Sequence, residues 1–230
     1  MAENKDDNIK KEKTVSIFGY GSLMNIDSAI KTMPSLSNFR LAKLIGYKRI
    51  FSLFAVVRLI KGDVDINDIE NAGLAIRPNK EEENINNTVF GCVFDILEDE
   101  LPSYFEREKI YKVKKVPIMT CDFENVTAYT VIEQTDEEYI NSFGEQNYDS
   151  QIGKYYSGSI WHRKDILPAK KYFEMVCTTA INNQNIELLK NFLDETYLAN
   201  EITTIREYIF SNKDKYYELI CKIIKIENVY

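Results

Sequence analysis

Two segments of the sequence combine residue types and spacings that could do chemistry, and the first is a turn rich in glycine. The motif Phe18-Gly19-Tyr20-Gly21-Ser22-Leu23 directly follows the apolar run Val15-Ser16-Ile17. Glycine tolerates positive φ and lets the backbone approach a ligand closely. A strand-to-helix turn also directs free backbone N–H groups at one spot, which suits an anion. We therefore expect the turn to hold a carboxylate, the alternative being a simple sharp corner.

The second segment is the end of a helix that we predict over 99–109, and it carries a candidate acid–base group. At 3.6 residues per turn, Glu108 shares a face with three apolar residues, Leu101, Tyr104 and Phe105, whereas Glu106 points off that face. Burial among apolar neighbours raises the pKa of a carboxyl group towards the range in which it can accept and return a proton. The structural alternative is an ion pair between Glu108 and a nearby cation: Arg107, Lys109 or Lys112.

Charge and residue counts argue against several other functions. The chain has 29 Lys and Arg against 36 Asp and Glu, a net charge of −7, which disfavours nucleic acids and anionic membranes as partners. No Cys-x-x-Cys spacing occurs, so we expect buried free thiols instead of disulfides or a metal site at Cys92, Cys121, Cys177 and Cys221. The single histidine, His162, argues against a histidine metal cluster or a Ser-His-Asp triad, and we interpret it as structural or at the surface.

The sequence also predicts where the protein resides. Residues 1–13 are charged and polar, which favours a disordered tail over a signal peptide. No stretch approaches eighteen consecutive apolar residues, the length that a membrane span needs. We expect a soluble, cytoplasmic protein.

The elements that must position these groups follow the order strands first, helices last. We predict strands over 14–19, 39–54 with a bend at Gly46, 72–76, 88–97, 112–120 and 126–133. We predict helices over 26–33, 99–109, part of 136–156, 169–181, 186–198 and one or two within 203–226. This order indicates an α+β fold with a closed or strongly curled sheet and a helical C-terminal lid or buttress.

Taken together, the motifs resemble the gamma-glutamylcyclotransferase superfamily over about residues 14–135. The resemblance rests on Tyr20-Gly21-Ser22-Leu23, Gly46-Tyr47-Lys48-Arg49, the strand 91–96 and the triplet Arg107-Glu108-Lys109, where the ChaC-type branch is most similar. It implies a small mixed or antiparallel β-barrel with flanking helices at 14–135. Residues 136–230 would then form a helical C-terminal extension packed on that core.

The resemblance also implies an activity. Enzymes of this superfamily cyclise a gamma-glutamyl group to 5-oxoproline and release an amine, an amino acid or Cys-Gly, without a metal or organic cofactor. By position, Glu108 matches the catalytic glutamate, and the substrate-binding positions match Tyr20, Gly21, Ser22, Leu23 and Tyr111. The expected partner is a small gamma-glutamyl compound, with no nucleic acid and no membrane, and the oligomeric state stays open.

Departures from the family pattern leave the substrate open. Tyr104 and Phe105 replace a common Leu-Asp pair, and Ile110-Tyr111 replaces the glycine pair of the ChaC-type triplet. Glutathione, gamma-glutamyl amino acids and gamma-glutamyl amines all remain candidates. So do a non-catalytic binding module on the same fold, another acyl or amide enzyme, and an interaction protein using the aromatic C-terminal half.

Three further side chains have two interpretations each. Ser22 resembles a nucleophile, but the sequence offers no identifiable base for it. Tyr155 and Tyr156, which lie between Gly153 and Gly158, would either close over a ligand as part of a mobile loop or simply pack against the protein.

Overall fold

The computed structural model describes residues 13–79 and 87–229. The predicted tail, except Lys13, and the acidic run Glu81–Glu83 therefore lie outside the described residues. The strands are β1 Thr14–Gly19, β2 Ser37–Ile45, β3 Tyr47–Phe54, β4 Glu70–Pro78, β5 Thr88–Leu97, β6 Lys112–Thr120, β7 Asn125–Ile132, β8 Leu167–Pro168 and β9 Thr196–Leu198. The helices are α1 Ile26–Ile30, α2 Val56–Ile60, α3 Leu101–Arg107, α4 Asp136–Phe143, α5 Glu145–Tyr148, α6 Lys170–Asn182, α7 Ile186–Asp194, α8 Ile205–Ser211 and α9 Tyr217–Glu227. Short 3₁₀ turns span Ser22–Met24 and Glu98–Glu100, and a π-helical turn spans Asp149–Gly153.

A closed five-stranded barrel forms the centre of the molecule. Its strand order is β1-β5-β2-β6-β7, and a parallel pairing of β1 with β7 closes an otherwise antiparallel sheet. A second sheet has the order β8-β4-β3-β9. The predicted α+β class with a small mixed β-barrel and flanking helices is therefore confirmed.

The chain passes from the barrel to the second sheet at Gly46. The sequence predicts one long, bent strand over 39–54, and the structure instead has two strands that belong to different sheets. Gly46 has a φ of +81°, a conformation that strongly favours glycine, and its N–H donates to the carbonyl of Asn87 over 2.9 Å. The turn at this glycine is thus sharper than a bend or bulge within one strand.

The C-terminal part contains the predicted helices and, in addition, two short strands. β8 pairs with β4 and β9 pairs with β3, both in parallel. The predicted helix over 186–198 therefore ends at Asp194. A three-residue strand leaves no periodicity in the sequence, because only its partner from elsewhere in the chain makes it a strand. No element is predicted over 56–60, where the structure has the short helix α2.

One apolar core joins the helices to the sheets. Phe173 of α6 is completely buried, and its ring lies 5.5 Å from that of Phe51 in β3 and 5.1 Å from that of Tyr216. The predicted amphipathic face of this helix is thus the face that packs on the second sheet. The division into a core at 14–135 and an extension at 136–230 packed on it stays a prediction.

The cysteines divide into two kinds. All four are free, but Cys92 and Cys177 are buried whereas Cys121 and Cys221 are exposed, so the expectation of buried thiols is wrong for the second pair. Within the described ranges, no three His, Cys, Asp or Glu side chains are grouped so that they could hold a metal ion. None of the helices in those ranges has both the length and the apolar character needed to cross a membrane.

Candidate active site

The glycine turn follows β1, and its backbone is tightly packed both within the turn and against β5. A Cβ atom at Gly19 would lie 2.5 Å from the Cβ of Leu23, and a Cβ atom at Gly91 would lie 2.3 Å from the carbonyl oxygen of Gly19. Neither Gly19 nor Gly21 has a positive φ. These glycines therefore allow close packing against neighbouring protein atoms, and the positive φ that the sequence allows for is absent at both positions of the turn.

Glu108 immediately follows the last residue of α3 and turns its side chain inwards. The side chain is 13% exposed, and its Oε1 accepts a hydrogen bond of 3.1 Å from Nε of Arg107. Burial raises the pKa of the Glu108 carboxyl, and the neighbouring guanidinium of Arg107 opposes part of that rise. The predicted buried carboxylate and the alternative ion pair thus coexist.

The other helix-end groups do not share the position of Glu108. Lys109 pairs with Glu106 at 2.8 Å and Lys112 with Glu138 at 2.7 Å. The Glu106 side chain is 73% exposed, as the helical spacing predicts. Phe105 departs from the predicted apolar face, since it is half exposed and contacts Tyr129 on the barrel wall.

Arg107 is hydrogen-bonded both to the Glu108 carboxylate and to the glycine turn. Its Nη1 donates to the carbonyl of Ser28 over 2.9 Å and to Oγ1 of Thr32 over 3.0 Å, which anchors α3 on α1. Its Nη2 donates to the hydroxyl of Ser22 over 3.3 Å. The Ser22 oxygen therefore accepts from a cation, and within the described residues no hydrogen bond joins its hydroxyl to a general base.

These groups surround a pocket, here called the inner pocket, of about 310 Å³ including the part open to solvent. All of the sequence-predicted site residues line it: Tyr20, Gly21, Ser22, Leu23, Glu108 and Tyr111. The other lining residues are Phe18, Gly19, Leu74, Val131 and Tyr172. Residues that lie more than eighty positions apart in the sequence are thus brought to one small concavity.

Three tyrosines supply neutral hydroxyl groups to the inner pocket. Burial raises the pKa of Tyr20, of Tyr111 and of Tyr172, so all three stay protonated at neutral pH. The Tyr111 hydroxyl donates to the carbonyl of Leu74 over 2.9 Å, which leaves its lone pairs for another donor.

The contribution of Tyr172 was missed by sequence reasoning. This residue comes from α6, where the helical pattern indicates only an apolar, core-facing position. In the structure its hydroxyl reaches the turn, since a Cβ atom at Gly21 would lie 3.1 Å from it. The guanidinium of Arg58 lies 4.8 Å from the centre of its ring. Nothing in the local sequence places α6 over the pocket.

Arg49 is a buried arginine that is hydrogen-bonded to the backbone of the glycine turn. It is completely buried in β3 and donates to the carbonyls of Tyr20 over 3.2 Å and Phe90 over 3.0 Å. It also donates to Oγ1 of Thr196 over 2.7 Å and to Oδ1 of Asn191 over 3.1 Å. One side chain thereby links the turn, the barrel and the C-terminal segment.

The remaining candidates lie away from the inner pocket. The Tyr156 ring stacks on Phe54 at 4.0 Å and its hydroxyl bonds to Arg163, so this residue packs as the simpler interpretation expects. Tyr155 does not line the inner pocket either. His162 is partly exposed beside the buried Glu133, with Nδ1 3.4 Å from Oε2 of that carboxylate.

Among known proteins, similarity is found at the level of the fold. No family model matches the sequence, and no curated protein matches it at a significant level. A solved structure of gamma-glutamyl cyclotransferase is similar, with a TM-score of 0.51 and 16% identity over 78% of this chain and 85% of that one. An uncharacterized protein from Homo sapiens is similar to the same degree, with a TM-score of 0.51 and 17% identity over 78% of this chain and 86% of that one. The chain therefore has the gamma-glutamyl cyclotransferase fold, as its motifs predict.

Proposed function

We propose that the protein is a gamma-glutamylcyclotransferase-like enzyme that converts a gamma-glutamyl group to 5-oxoproline and releases the attached amine. The observation that carries the proposal is a largely buried carboxylate, Glu108, which lines one small pocket together with the glycine turn. The shared fold supports it.

In the proposed reaction the α-amine of the substrate attacks its own γ-carbonyl carbon, a C–N bond forms to close a five-membered lactam, and the γ-amide C–N bond breaks. The attacking nitrogen changes from an ammonium to an amide and loses two protons. The leaving nitrogen changes from an amide to an ammonium and gains two. Glu108 would carry these protons and end the cycle ionised, as it began.

The pocket would contribute mostly by folding the substrate. Alignment of two reacting groups in one molecule is worth up to about 7–11 kcal/mol in ideal cases. The N–H groups of Gly21 and Ser22, at the start of the 3₁₀ turn, would hold the α-carboxylate or polarise the γ-carbonyl. Tyr111 would accept a hydrogen bond from the α-ammonium.

Arg107 would be a positioning residue in this scheme. Its bonds to Ser28 and Ser22 fix α3 relative to α1 and the turn, and its bond to Glu108 orients the carboxylate. A shift of about 1 Å between catalytic group and substrate can cost on the order of 10²-fold in rate.

The test is 5-oxoproline release from glutathione, gamma-glutamyl amino acids and gamma-glutamyl amines by the wild type and by Glu108→Gln. We expect the wild type to turn over at least one compound and Glu108→Gln to lose about 10²–10⁴-fold in kcat. Glutamine keeps the size of the side chain and its acceptor for Arg107, so a cooperative thermal unfolding transition in both proteins is the control for correct folding.

Two other results would point elsewhere. Equal rates in the two proteins would remove Glu108 from the mechanism and make Glu106 the next residue to test. Thermal stabilisation by a gamma-glutamyl compound without any product would favour the non-catalytic binding module.

A further inference from the structure

A second and larger pocket, here called the outer pocket, lies next to the inner pocket and shares two of its lining residues. Glu108 and Tyr111 line both. The outer pocket continues along α3, the start of β6, α4 and the π-helical turn, and holds about 1410 Å³ including the part open to solvent. The two shared residues place the outer pocket directly beside the inner one, with the Glu108 carboxylate between them.

Four aromatic residues line the outer pocket, together with polar and charged side chains. Tyr139 and Phe143 of α4 lie 4.9 Å apart between ring centres, and Phe105 of α3 and Tyr111 are the other two aromatic residues. Phe143 is 53% exposed and Phe105 is 39% exposed. Apolar surface of this kind gains free energy when an apolar group covers it.

The charged residues of the outer pocket largely neutralise one another. Lys109 pairs with Glu106, and Lys112 pairs with Glu138. Among the described wall residues, both cations are thus already engaged by carboxylates. An apolar group is therefore better matched to this wall than an acidic one.

We propose that the outer pocket binds the amine side of the substrate and selects a large apolar or aromatic group there. This inference rests on the proposed function, because the γ-amide bond that breaks would lie at Glu108. The γ-glutamyl half would then stay in the inner pocket, and the leaving amine would occupy the outer one. The substrate class is a gamma-glutamyl derivative of a bulky apolar amine or amino acid.

The test compares gamma-glutamyl-phenylalanine with gamma-glutamyl-alanine, which differ by one phenyl ring. We expect the wild type to favour the phenylalanine compound about tenfold or more in kcat/KM. Phe143→Ala should bring this ratio close to one, and Ser142→Trp should lower it by filling the same pocket. Phe123→Ala is the matched control, since Phe123 is 81% exposed at the turn between β6 and β7 and lines neither pocket.

Binding of the same two compounds to the Glu108→Gln protein separates this inference from the proposed function. Turnover of both compounds at equal kcat/KM, with no change in Phe143→Ala, would overturn the outer-pocket inference and leave the reaction standing. Tighter binding of the phenylalanine compound, weakened by Phe143→Ala but without product from the wild type, would support the outer pocket and overturn the reaction. Neither binding nor turnover would overturn both.

Discussion

Glu108 is an ionisable side chain in a largely buried position, and burial disfavours its charged form. Its carboxyl group is 13% exposed, and one guanidinium, that of Arg107, offsets part of the lost hydration. A carboxyl group with a raised pKa exchanges protons more readily near neutral pH than one at the surface. The same property that suits catalysis therefore lowers the stability of the native state when Glu108 is ionised.

This conflict predicts a dependence of stability on pH. The folded-state pKa of Glu108 lies above its ordinary value of 4.5, so the native protein binds more protons than the unfolded chain between those two values. The free energy of unfolding of the wild type should therefore fall, relative to Glu108→Gln, as the pH rises through that window. Denaturant unfolding of both proteins from about pH 4 to about pH 8 measures the difference. A constant difference would show that burial does not strain this carboxylate.

Ser22 provides the second prediction at this scale. Its hydroxyl accepts a hydrogen bond from Arg107, and the only histidine of the chain does not line the inner pocket. We expect Ser22→Ala to keep 5-oxoproline release within about tenfold of the wild type, the effect of losing one modest hydrogen bond. A loss as large as that of Glu108→Gln would instead indicate a nucleophilic serine.

Among the elements, β1 and β5 determine where the turn lies. They pair from Thr14 with Leu97 to Gly19 with Cys92, and the absence of a side chain at Gly91 lets the end of β1 approach β5 closely. The position of the turn thus depends on a strand that follows it by some seventy residues.

Gly91→Ala should therefore destabilise the protein and impair the site together. The added Cβ atom would lie 2.3 Å from the carbonyl oxygen of Gly19, so β1 must move, at a cost of about 1–3 kcal/mol. Gly73→Ala in β4 is the matched control, because its nearest neighbour would be at an ordinary 3.6 Å and the change should stay within about 1 kcal/mol. Thermal unfolding and 5-oxoproline release measure both effects. Equal behaviour of the two variants would contradict the close packing.

For the whole molecule, the C-terminal segment is part of the architecture that holds the site. It contributes two strands to the second sheet, Tyr172 to the inner pocket, and Thr196 and Asn191 as acceptors for Arg49. Arg49 in turn donates to the carbonyl of Tyr20 in the glycine turn. The barrel and the C-terminal segment therefore share both a core and a polar network.

Because the barrel and the C-terminal segment share a core and a polar network, we expect them to unfold together. The buried Trp161, whose Nε1 donates to the carbonyl of Ile110, reports on packing between the C-terminal half and the barrel, and far-ultraviolet circular dichroism reports on the helices. We expect both signals to change at the same denaturant concentration. Loss of helical signal before the tryptophan transition would show that 136–230 is a separate unit.

The local sequence determined much of the fold and most of the site. Strand β1 and strand β5 match the predicted ranges, because long apolar runs bounded by turns specify strands locally. The motifs also pointed to Glu108, Tyr111 and the residues of the glycine turn. Helical spacing predicted that Glu108 faces the apolar side, although the structure places this residue just beyond the end of α3.

Tertiary structure decided what depends on distant partners. The split of the chain at Gly46 into two sheets, the strands β8 and β9, and the placement of Tyr172 over Gly21 are set by contacts between residues far apart in the sequence. Short strands and pocket walls have no periodicity of their own, because their free energy comes from the partner segment. The glycines of the turn illustrate the difference: their type is evident in the sequence, but the reason for it, close contact with a neighbouring strand and helix, exists only in the folded protein.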